Sequence, residues 1–360
     1  MSFERWILNV MSGQTHGIGA AAARAALALA EPAYASAAAR RNRRFDTGRR
    51  EILRLPRPMI SVGNLTTGGT GKTPAVQWLV RKLQARGRCP GVLLRGYRKS
   101  ANDVASDEEA LLRETLRVPV VADPDRFRAG TALLAAWPEV DILVLDDGFQ
   151  HRRVARDYEI VLIDATNPFG FDHVLPRGLL REPVAGIARA DLVLITRSNQ
   201  VDASTLTAID TRIREHHAAV PIVRTIHAPA AFCVDDERLP IDALRGSRVF
   251  AVSGIGNPAA FEHSLVEAGV EVVGRMRFGD HHAYRDADLS KVFASQQAAG
   301  ASHLMTTEKD WVKLAPLIER SRQSPSTLTS VVRLSIELQM GLGDEGETLT
   351  QIDRKLSQRP

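Results

Sequence analysis

The sequence predicts an α/β fold in which a mostly parallel sheet is covered by helices and is followed by a second, smaller α/β domain. Three observations support this prediction. Short apolar segments alternate with helical segments over residues 59–216, a glycine-rich loop joins the first strand to the first helix, and a shorter alternation covers residues 248–305. Alternation of this kind favours parallel strands with helices packed on both faces of the sheet.

Length and composition indicate a globular protein of about two domains. The chain has 360 residues, 44% hydrophobic and 25% charged, and disordered chains are poorer in apolar residues. The two cysteines, Cys89 and Cys233, lie far apart without metal-ligand spacing. We therefore expect neither a disulfide framework nor a structural zinc site, and a reducing cytosol fits best. No run of about 18 uncharged apolar residues predicts a transmembrane helix.

The net charge of +5 comes from one short segment near the N-terminus. Residues 40–50 hold six arginines and one aspartate, and without them the 47 basic and 42 acidic residues become 41 of each. The alanine-rich residues 17–39 precede this segment and favour a helix. An apolar helix followed by arginines suits attachment to an anionic membrane surface, and a helix packed on the protein is the alternative. Nucleic-acid binding is not expected, because no aromatic residues interleave the arginines.

A glycine-rich loop between a strand and a helix predicts a phosphate-binding P-loop. Residues 59–62 have strand character, residues 63–71 read GNLTTGGTG, and an apolar-periodic helix follows to about residue 85. In a P-loop, backbone N–H groups hold the phosphates, a lysine reaches the β- and γ-phosphates and a hydroxyl ligates Mg²⁺. Thr66 stands where the strict pattern has its first glycine. The predicted nucleotide-binding residues are Thr66, Gly68, Gly69, Thr70, Gly71, Lys72 and Thr73.

A second apolar strand, residues 141–145, ends in the adjacent aspartates Asp146 and Asp147. A P-loop site needs a carboxylate near Mg²⁺, and open α/β sheets bind ligands at the carboxyl ends of their strands. We predict that both aspartates serve the metal, together with Thr73. Further strand-like segments at 91–94, 118–121, 159–163 and 192–196 alternate with helical segments at about 108–116, 126–136 and 203–216. They complete a sheet like that of P-loop NTPases.

Charged residues follow several of these strands. Arg95 follows residues 91–94, Arg126 opens a helix, and Arg181 lies in a stiff loop at residues 176–183. Arginines at such positions suit an anionic acceptor or a phosphoryl group in transfer. Asp107 precedes a helical segment, where it is either an N-cap or a group that accepts the proton of an attacking hydroxyl.

The second half of the chain predicts a smaller α/β unit of about 100 residues. Strand-like segments occupy residues 248–252, 270–276 and 302–305. The loop after the second of them contains Asp280, His281 and His282. Two imidazoles beside a carboxylate offer both proton transfer and orientation, and surface histidines are the alternative interpretation.

The ordered set of motifs resembles the tetraacyldisaccharide 4′-kinase family of lipid A biosynthesis. The resemblance extends from Ser61 to about Leu314. It rests on several segments in order: residues 63–66, 68–74, 95–97, 107–108, 146–151, 179–183, 254–258, 280–282 and 307–310. One departure is Ser106, with Glu109 after the Asp-Glu pair, where the family more often has Gly and Pro.

The resemblance implies an ATP-dependent kinase that transfers the γ-phosphate to the 4′-hydroxyl of a tetraacyl glucosamine disaccharide 1-phosphate to form lipid IVA. It implies Mg²⁺ as cofactor and Asp107 as the catalytic carboxylate, paired with His281 or, alternatively, His282. The residues implied to bind the acceptor are Arg95, Tyr97, Gln150 and Arg181.

The resemblance also implies a peripheral enzyme at the cytoplasmic face of the inner membrane of a Gram-negative bacterium, which favours membrane attachment of the N-terminal segment. We expect four regions: a membrane-associating helix and basic segment at 1–50, a P-loop kinase domain at 51–235, a smaller α/β domain at 236–340 and a polar, loosely held tail at 341–360.

Two other classes of protein fit the sequence less well. Partitioning ATPases with a similar loop usually have a lysine where Thr67 stands, and guanine-specific switches carry Asn-Lys-x-Asp, which residues 196–199 do not match. A membrane adaptor without catalytic activity leaves the paired aspartates and the Asp-His-His loop unexplained.

Overall fold

The computed structural model describes residues 3–96, 107–235, 237–280, 282–322, 330–341 and 344–358, and only the backbone of 3–5, 107, 108, 322 and 330. The helices are α1 Phe3–Met11, α2 Ile18–Asp46, α3 Lys72–Ala85, α4 Asp107–Leu116, α5 Arg126–Ala136, α6 Ala203–Arg214, α7 Pro258–Glu267, α8 Asp286–Ala298, α9 Glu308–Arg322 and α10 Asp344–Ser357. The strands are β1 Met59–Asn64, β2 Pro90–Leu94, β3 Val120–Ala122, β4 Ile142–Asp146, β5 Tyr158–Asp164, β6 Leu192–Thr196, β7 Ile222–Val234, β8 Glu237–Pro240, β9 Arg248–Ser253, β10 Glu271–Arg277, β11 His303–Thr307 and β12 Ser330–Met340.

The first of two compact units contains the described parts of residues 1–101, 118–226 and 339–360. Its strands follow the order β7-β6-β5-β1-β4-β2-β3, and all neighbouring pairs are parallel. Strands β1, β2, β4, β5 and β6 are buried along their whole length, which is why they appear in the sequence as continuous apolar runs. The prediction of a mostly parallel sheet covered by helices is confirmed.

The second unit contains the described parts of residues 102–117 and 227–338. Its strands β10, β9, β11 and β12 are parallel in that order, and α8 and α9 enclose a core that includes Phe250, Leu304 and Trp311. Helix α4 belongs to this unit, where Arg333 pairs with Glu114 at 3.1 Å. This grouping differs from the expected domain at residues 51–235, which included α4. The functional division into four regions stays a prediction.

The expectation of a loosely held tail at residues 341–360 is wrong. Helix α10 lies in the first unit and buries Leu349, Ile352 and Leu356, which are spaced three or four residues apart on one face. At its start, Glu345 accepts a hydrogen bond from Trp78 Nε1 at 3.0 Å and pairs with Lys82 at 2.7 Å. The polar composition therefore belongs to the exposed face of an amphipathic helix.

The N-terminal segment forms two helices of the first unit. Helix α2 continues to Asp46 and so includes four of the arginines that were expected to follow it. Ala20, Ala38 and Phe45, which lie on one face of α2, are buried. Tyr34 donates to the carbonyl of Arg181 at 3.1 Å, so one side of α2 is packed on the protein. In the described part of the chain, no helix combines the length and the apolar character needed to cross a membrane.

We expect Gly63→Ala to lower the free energy of unfolding by about 1–3 kcal/mol, because an added methyl group overpacks the site. A Cβ at Gly63 would lie 2.6 Å from the backbone nitrogen and 2.7 Å from the Cβ of Phe149. Gly19→Ala in α2 is the matched control, since nothing lies within 4 Å of its added Cβ. Urea unfolding measures both variants, and equal stability of the two would contradict the close contact.

Candidate phosphate-binding site

The loop between β1 and α3 has the backbone features of a P-loop. It lies at the carboxyl end of β1, the central strand of the first unit. Gly68 and Gly71 have φ values of +107° and +89°, a region that residues with a side chain rarely adopt. Gly71 directly precedes α3, so the loop leads into a helix N-terminus, where backbone N–H groups favour anions.

Thr66 fits the position of the missing glycine because the chain is extended there. The residue is 5% exposed and forms an isolated antiparallel bridge with Leu180. Next to this bridge, the N–H of Arg181 donates to the carbonyl of Leu65 at 2.7 Å. Extended pairing needs no positive φ, so a threonine is compatible with it. The same pairing brings Arg181 beside the loop.

Asn64 is the hydrogen-bonding centre of the loop. Its Nδ2 donates to the carbonyl of Thr66 and to the hydroxyl of Thr70, both at 2.8 Å. Its Oδ1 accepts a longer bond of 3.4 Å from Lys72 Nζ, and its own carbonyl accepts from Gln150 Nε2 at 2.9 Å. One buried side chain thus holds both the turn of the loop and the lysine.

The paired aspartates lie beside the P-loop. Asp146 ends β4, in register with Val62 of the neighbouring β1, and its Oδ1 accepts a bond from the N–H of Asp147 at 2.8 Å. Asp147 adopts a left-handed φ of +51°. Both of its carboxylate oxygens lie 2.8 Å from Arg181 Nη1, and Lys72 Nζ lies 3.5 Å away. The structure therefore brings Lys72, Asp146, Asp147 and Arg181 together.

Positive charge dominates this end of the sheet. Burial alone would raise the pKa of Asp147, but the charges of Lys72, Arg181 and Arg95 outweigh it and hold that pKa below its usual value. Arg126 is 4% exposed, and burial and the charge of Arg95 lower its pKa, whereas Asp147 and Asp146 act in the opposite direction. Four cations thus surround two carboxylates, an arrangement that suits a polyphosphate.

The remaining predicted residues are placed as follows. Thr73 is the second residue of α3, and Gly69 lies in the loop with its carbonyl facing Arg197, which donates to it at 2.9 Å. Gln150 was expected to bind the acceptor, and its Nε2 also donates to Glu182 at 3.0 Å. Asp107 begins α4. The side chain of Asp107, and Tyr97 and His281, lie outside the described residues.

Sequence reasoning missed three residues that build the site: Asn64, Glu182 and Arg197. Glu182 is 1% exposed and accepts bonds from Asn42 at 2.7 Å and Arg189 at 2.9 Å as well as from Gln150. All three are polar residues at the ends of buried strands or in the motif at residues 179–183. Their positions could have marked them as candidate site residues. Their bonding partners could not be predicted, because they come from distant parts of the chain.

In the second unit, His282 lies in the loop that precedes α8. Its Nε2 lies 3.1 Å from Asp288, whose carboxylate also accepts from the N–H of Arg285. The imidazole stacks on Phe278 with 4.5 Å between ring centroids. Asp280 pairs with Lys309 at 3.3 Å. These contacts hold the imidazole of His282 against Phe278 and Asp288.

The sheet is parallel, its central strand leads into a P-loop, and the next strand ends in paired aspartates. These features define the class of P-loop proteins that transfer or hydrolyse phosphate groups. Within this class, residues 23–357 match the profile of the Tetraacyldisaccharide-1-P 4′-kinase family. The chain belongs to this family. The predicted resemblance and the predicted enzyme class, a kinase of lipid A biosynthesis, are confirmed.

Similar proteins cover nearly the whole chain. A tetraacyldisaccharide 4′-kinase of Anaeromyxobacter sp. (strain Fw109-5) is 41% identical over 341 residues, which are 90% of each chain. That of Geobacter metallireducens is 37% identical over 92% of this chain and 98% of the relative. The crystal structure of "apo" form LpxK from Aquifex aeolicus in complex with ATP is 30% identical, with a TM-score of 0.72 over 92% of this chain and 99% of that chain.

We expect His151, which follows Gln150, to titrate at a low pH. Burial, and then the charges of Arg126 and Arg156, lower the pKa of His151 to about 4, against 6.5 for an unperturbed histidine. The unfolded chain therefore takes up a proton first, so stability falls as the pH drops from about 6.5 to about 4, by up to about 3 kcal/mol.

An NMR titration checks this prediction through the Cε1–H signal of His151. The His151→Gln variant should lose the signal that titrates near pH 4 and should unfold with a weaker dependence on pH in this range. The His263→Gln variant, which changes a half-exposed histidine of α7, should retain the signal. A His151 signal that titrates near pH 6.5 would contradict the burial of a neutral imidazole.

Proposed function

We propose that this protein transfers the γ-phosphate of ATP to the 4′-hydroxyl of a tetraacyl glucosamine disaccharide 1-phosphate, which yields lipid IVA. The observation that carries the proposal is the contact of Lys72, Asp147 and Arg181 beside a P-loop, in a chain of the 4′-kinase family. The relative from Aquifex aeolicus, described in complex with ATP, supports ATP as the phosphate donor.

The charges of the site match the demands of phosphoryl transfer. This reaction depends on positioning and on stabilisation of charge at the phosphoryl oxygens. Lys72 is held by Asn64 and Asp147 near the start of α3, where it can reach the β- and γ-phosphates. Arg181 and Arg95 act on the same carboxylate and supply further positive charge for the transferred group or for the anionic acceptor.

The residues present also fit Mg²⁺. The ion prefers oxygen ligands and commonly takes one or two carboxylates together with substrate phosphates. Thr73 and Asp146 supply a hydroxyl and a carboxylate at the ends of neighbouring elements, while both oxygens of Asp147 accept from Arg181. We propose Thr73 and Asp146 as ligands, with Asp147 serving the water shell. When bound, Mg²⁺ neutralises charge on the phosphate oxygens.

For the acceptor hydroxyl we propose Asp107 as the group that takes its proton, with His281 orienting the carboxylate. The family resemblance supports both assignments. The contacts of His282 with Asp288 and Phe278 support His281 rather than His282 as the partner, because they occupy Nε2 and one ring face of His282. The predicted acceptor residues Arg95, Tyr97, Gln150 and Arg181 stay a proposal.

One assay tests the activity and these roles. Transfer of ³²P from γ-labelled ATP to the chloroform-soluble disaccharide should be readily detected with the unaltered protein. Lys72→Met and Asp107→Asn should each lower kcat at least 100-fold, the first through lost charge stabilisation and the second through a lost base.

Lys82→Met serves as the control, because it removes a lysine of the same helix that pairs with Glu345 instead. Near-normal turnover by Asp107→Asn would contradict its role as base. Failure of the unaltered protein to label the lipid would overturn the proposed function.

We further propose that α2 attaches the protein to the cytoplasmic face of an anionic inner membrane in a Gram-negative bacterium. Tyr34, Asn42 and Asp46 tie one side of α2 to the protein. On its other side, Ile18 and Leu29 are 92% and 84% exposed, and exposed arginines follow toward its C-terminal end. Apolar side chains beside arginines suit the boundary between acyl chains and anionic headgroups.

Vesicles containing phosphatidylglycerol test this attachment by co-sedimentation. Leu29→Glu and the double variant Arg43→Glu/Arg44→Glu should each reduce binding at least tenfold at low salt, since each basic residue near such a surface contributes about 1 kcal/mol. Arg214→Glu, which changes an exposed arginine of α6, is the control. Unchanged binding by both α2 variants would contradict the proposal.

A further inference from the structure

The carboxyl end of β6 donates hydrogen bonds to two consecutive carbonyls of the P-loop. Thr196 Oγ1 donates to the carbonyl of Thr70 at 3.0 Å, and Arg197 Nη2 donates to that of Gly69 at 2.9 Å. Both donor residues are buried, with exposed fractions of 0% and 7%. Strand β5 lies between β6 and β1 in the sheet, so these side chains contact a loop that does not belong to a neighbouring strand.

These bonds set the direction of backbone N–H groups. The peptide unit is planar and trans, so a carbonyl and the N–H of the next residue point in opposite directions. Because the carbonyl of Thr70 faces Thr196, the N–H of Gly71 points away from β6, at the N-terminus of α3. The bond from Arg197 to the carbonyl of Gly69 instead fixes the turn of the loop, in which the N–H of Thr70 donates to the carbonyl of Gly68 at 3.1 Å.

Arg197 is itself held firmly in place. Its Nη1 forms an ion pair with Asp164 at the end of β5, and the second oxygen of Asp164 accepts from the N–H and the hydroxyl of Thr166 at 3.0 and 2.7 Å. Arg197 also adopts a left-handed φ of +54°, which is unfavourable for a residue with a long side chain. Such a conformation persists where the surrounding contacts enforce it, and it often occurs at functional sites.

We propose that Thr196 and Arg197 are positioning residues of the nucleotide site, which hold the carbonyls of Thr70 and Gly69 so that the turn of the P-loop is fixed and the N–H of Gly71 is aligned for the phosphates of ATP. The inference rests on the proposed function only for the identity of the nucleotide. Neither side chain needs to touch the reacting atoms. Their loss should weaken nucleotide binding equally in the ground state and the transition state, so KM for ATP rises while kcat changes little.

Calorimetric titration with ATP, without acceptor, measures the effect directly, and steady-state kinetics separate KM from kcat. We expect Thr196→Val and Arg197→Ala each to weaken ATP binding and raise KM for ATP about tenfold, the loss associated with one or two buried hydrogen bonds. Arg197→Lys should recover only part of the affinity, because the ammonium keeps the positive charge beside Asp164 but lacks the planar guanidinium that bonds Asp164 and Gly69 through two nitrogens. The KM for the lipid acceptor should stay unchanged.

Two variants serve as matched controls. Thr225→Val removes a buried hydroxyl that donates to the carbonyl of Ile195 at 3.2 Å, and Arg224→Ala removes an arginine that pairs with Asp210 at 2.8 Å. Both should bind ATP normally, whereas a merely structural role of Thr196 would lower thermal stability in Thr196→Val without changing KM for ATP.

Normal ATP affinity in Thr196→Val would overturn the proposal, and this variant decides the matter if Arg197→Ala does not fold. ATP binding without lipid phosphorylation by the unaltered protein would refute the proposed function, while the binding data would still test the positioning role.

Discussion

The conformation of the P-loop depends on hydrogen bonds that hold its backbone carbonyl groups and thereby fix the direction of its N–H groups. A buried carbonyl without a partner is costly, and in this loop the partners come from outside it as well as from Asn64. The acceptors and their donors are the carbonyl of Asn64 with Gln150, Leu65 with the N–H of Arg181, Thr66 with Asn64 Nδ2, Gly69 with Arg197, and Thr70 with Thr196.

The same bonds connect the loop to the rest of the first unit. Gln150 also donates to Glu182, and Glu182 accepts from Asn42 of α2, so a chain of hydrogen bonds runs from the N-terminal helix to the P-loop. Arg181 connects Asp147 to the loop: its side chain bonds to Asp147, and its backbone N–H donates to the carbonyl of Leu65 in the loop. The helix proposed to lie on the membrane is thus connected to the P-loop through Asn42, Glu182 and Gln150.

Much of the fold could be predicted because buried parallel strands appear as continuous apolar runs. Strands β1, β2, β4, β5 and β6 were predicted within about two residues of their bounds, and so was α3. Strands β7, β8 and β12 and helices α9 and α10 were missed. In α10 the apolar residues Leu349, Ile352 and Leu356 are few, and only packing in the first unit distinguishes them from a polar tail. Local sequence carries little information about such docking, because helix stability depends on tertiary contacts.

The sequence by itself determined the family, the P-loop, the paired aspartates and the arginines that follow the strands. These features depend on residue type and spacing along one short segment, which a sequence displays directly. Only the tertiary structure decided that Asn64 centres the loop, that Arg181 binds Asp147, and that Arg197 holds Gly69. Each of these contacts joins a residue to a partner set by the strand order or by the folding of a distant loop. Burial then strengthens the electrostatic interaction between the partners. Neither burial nor proximity can be derived from the local sequence.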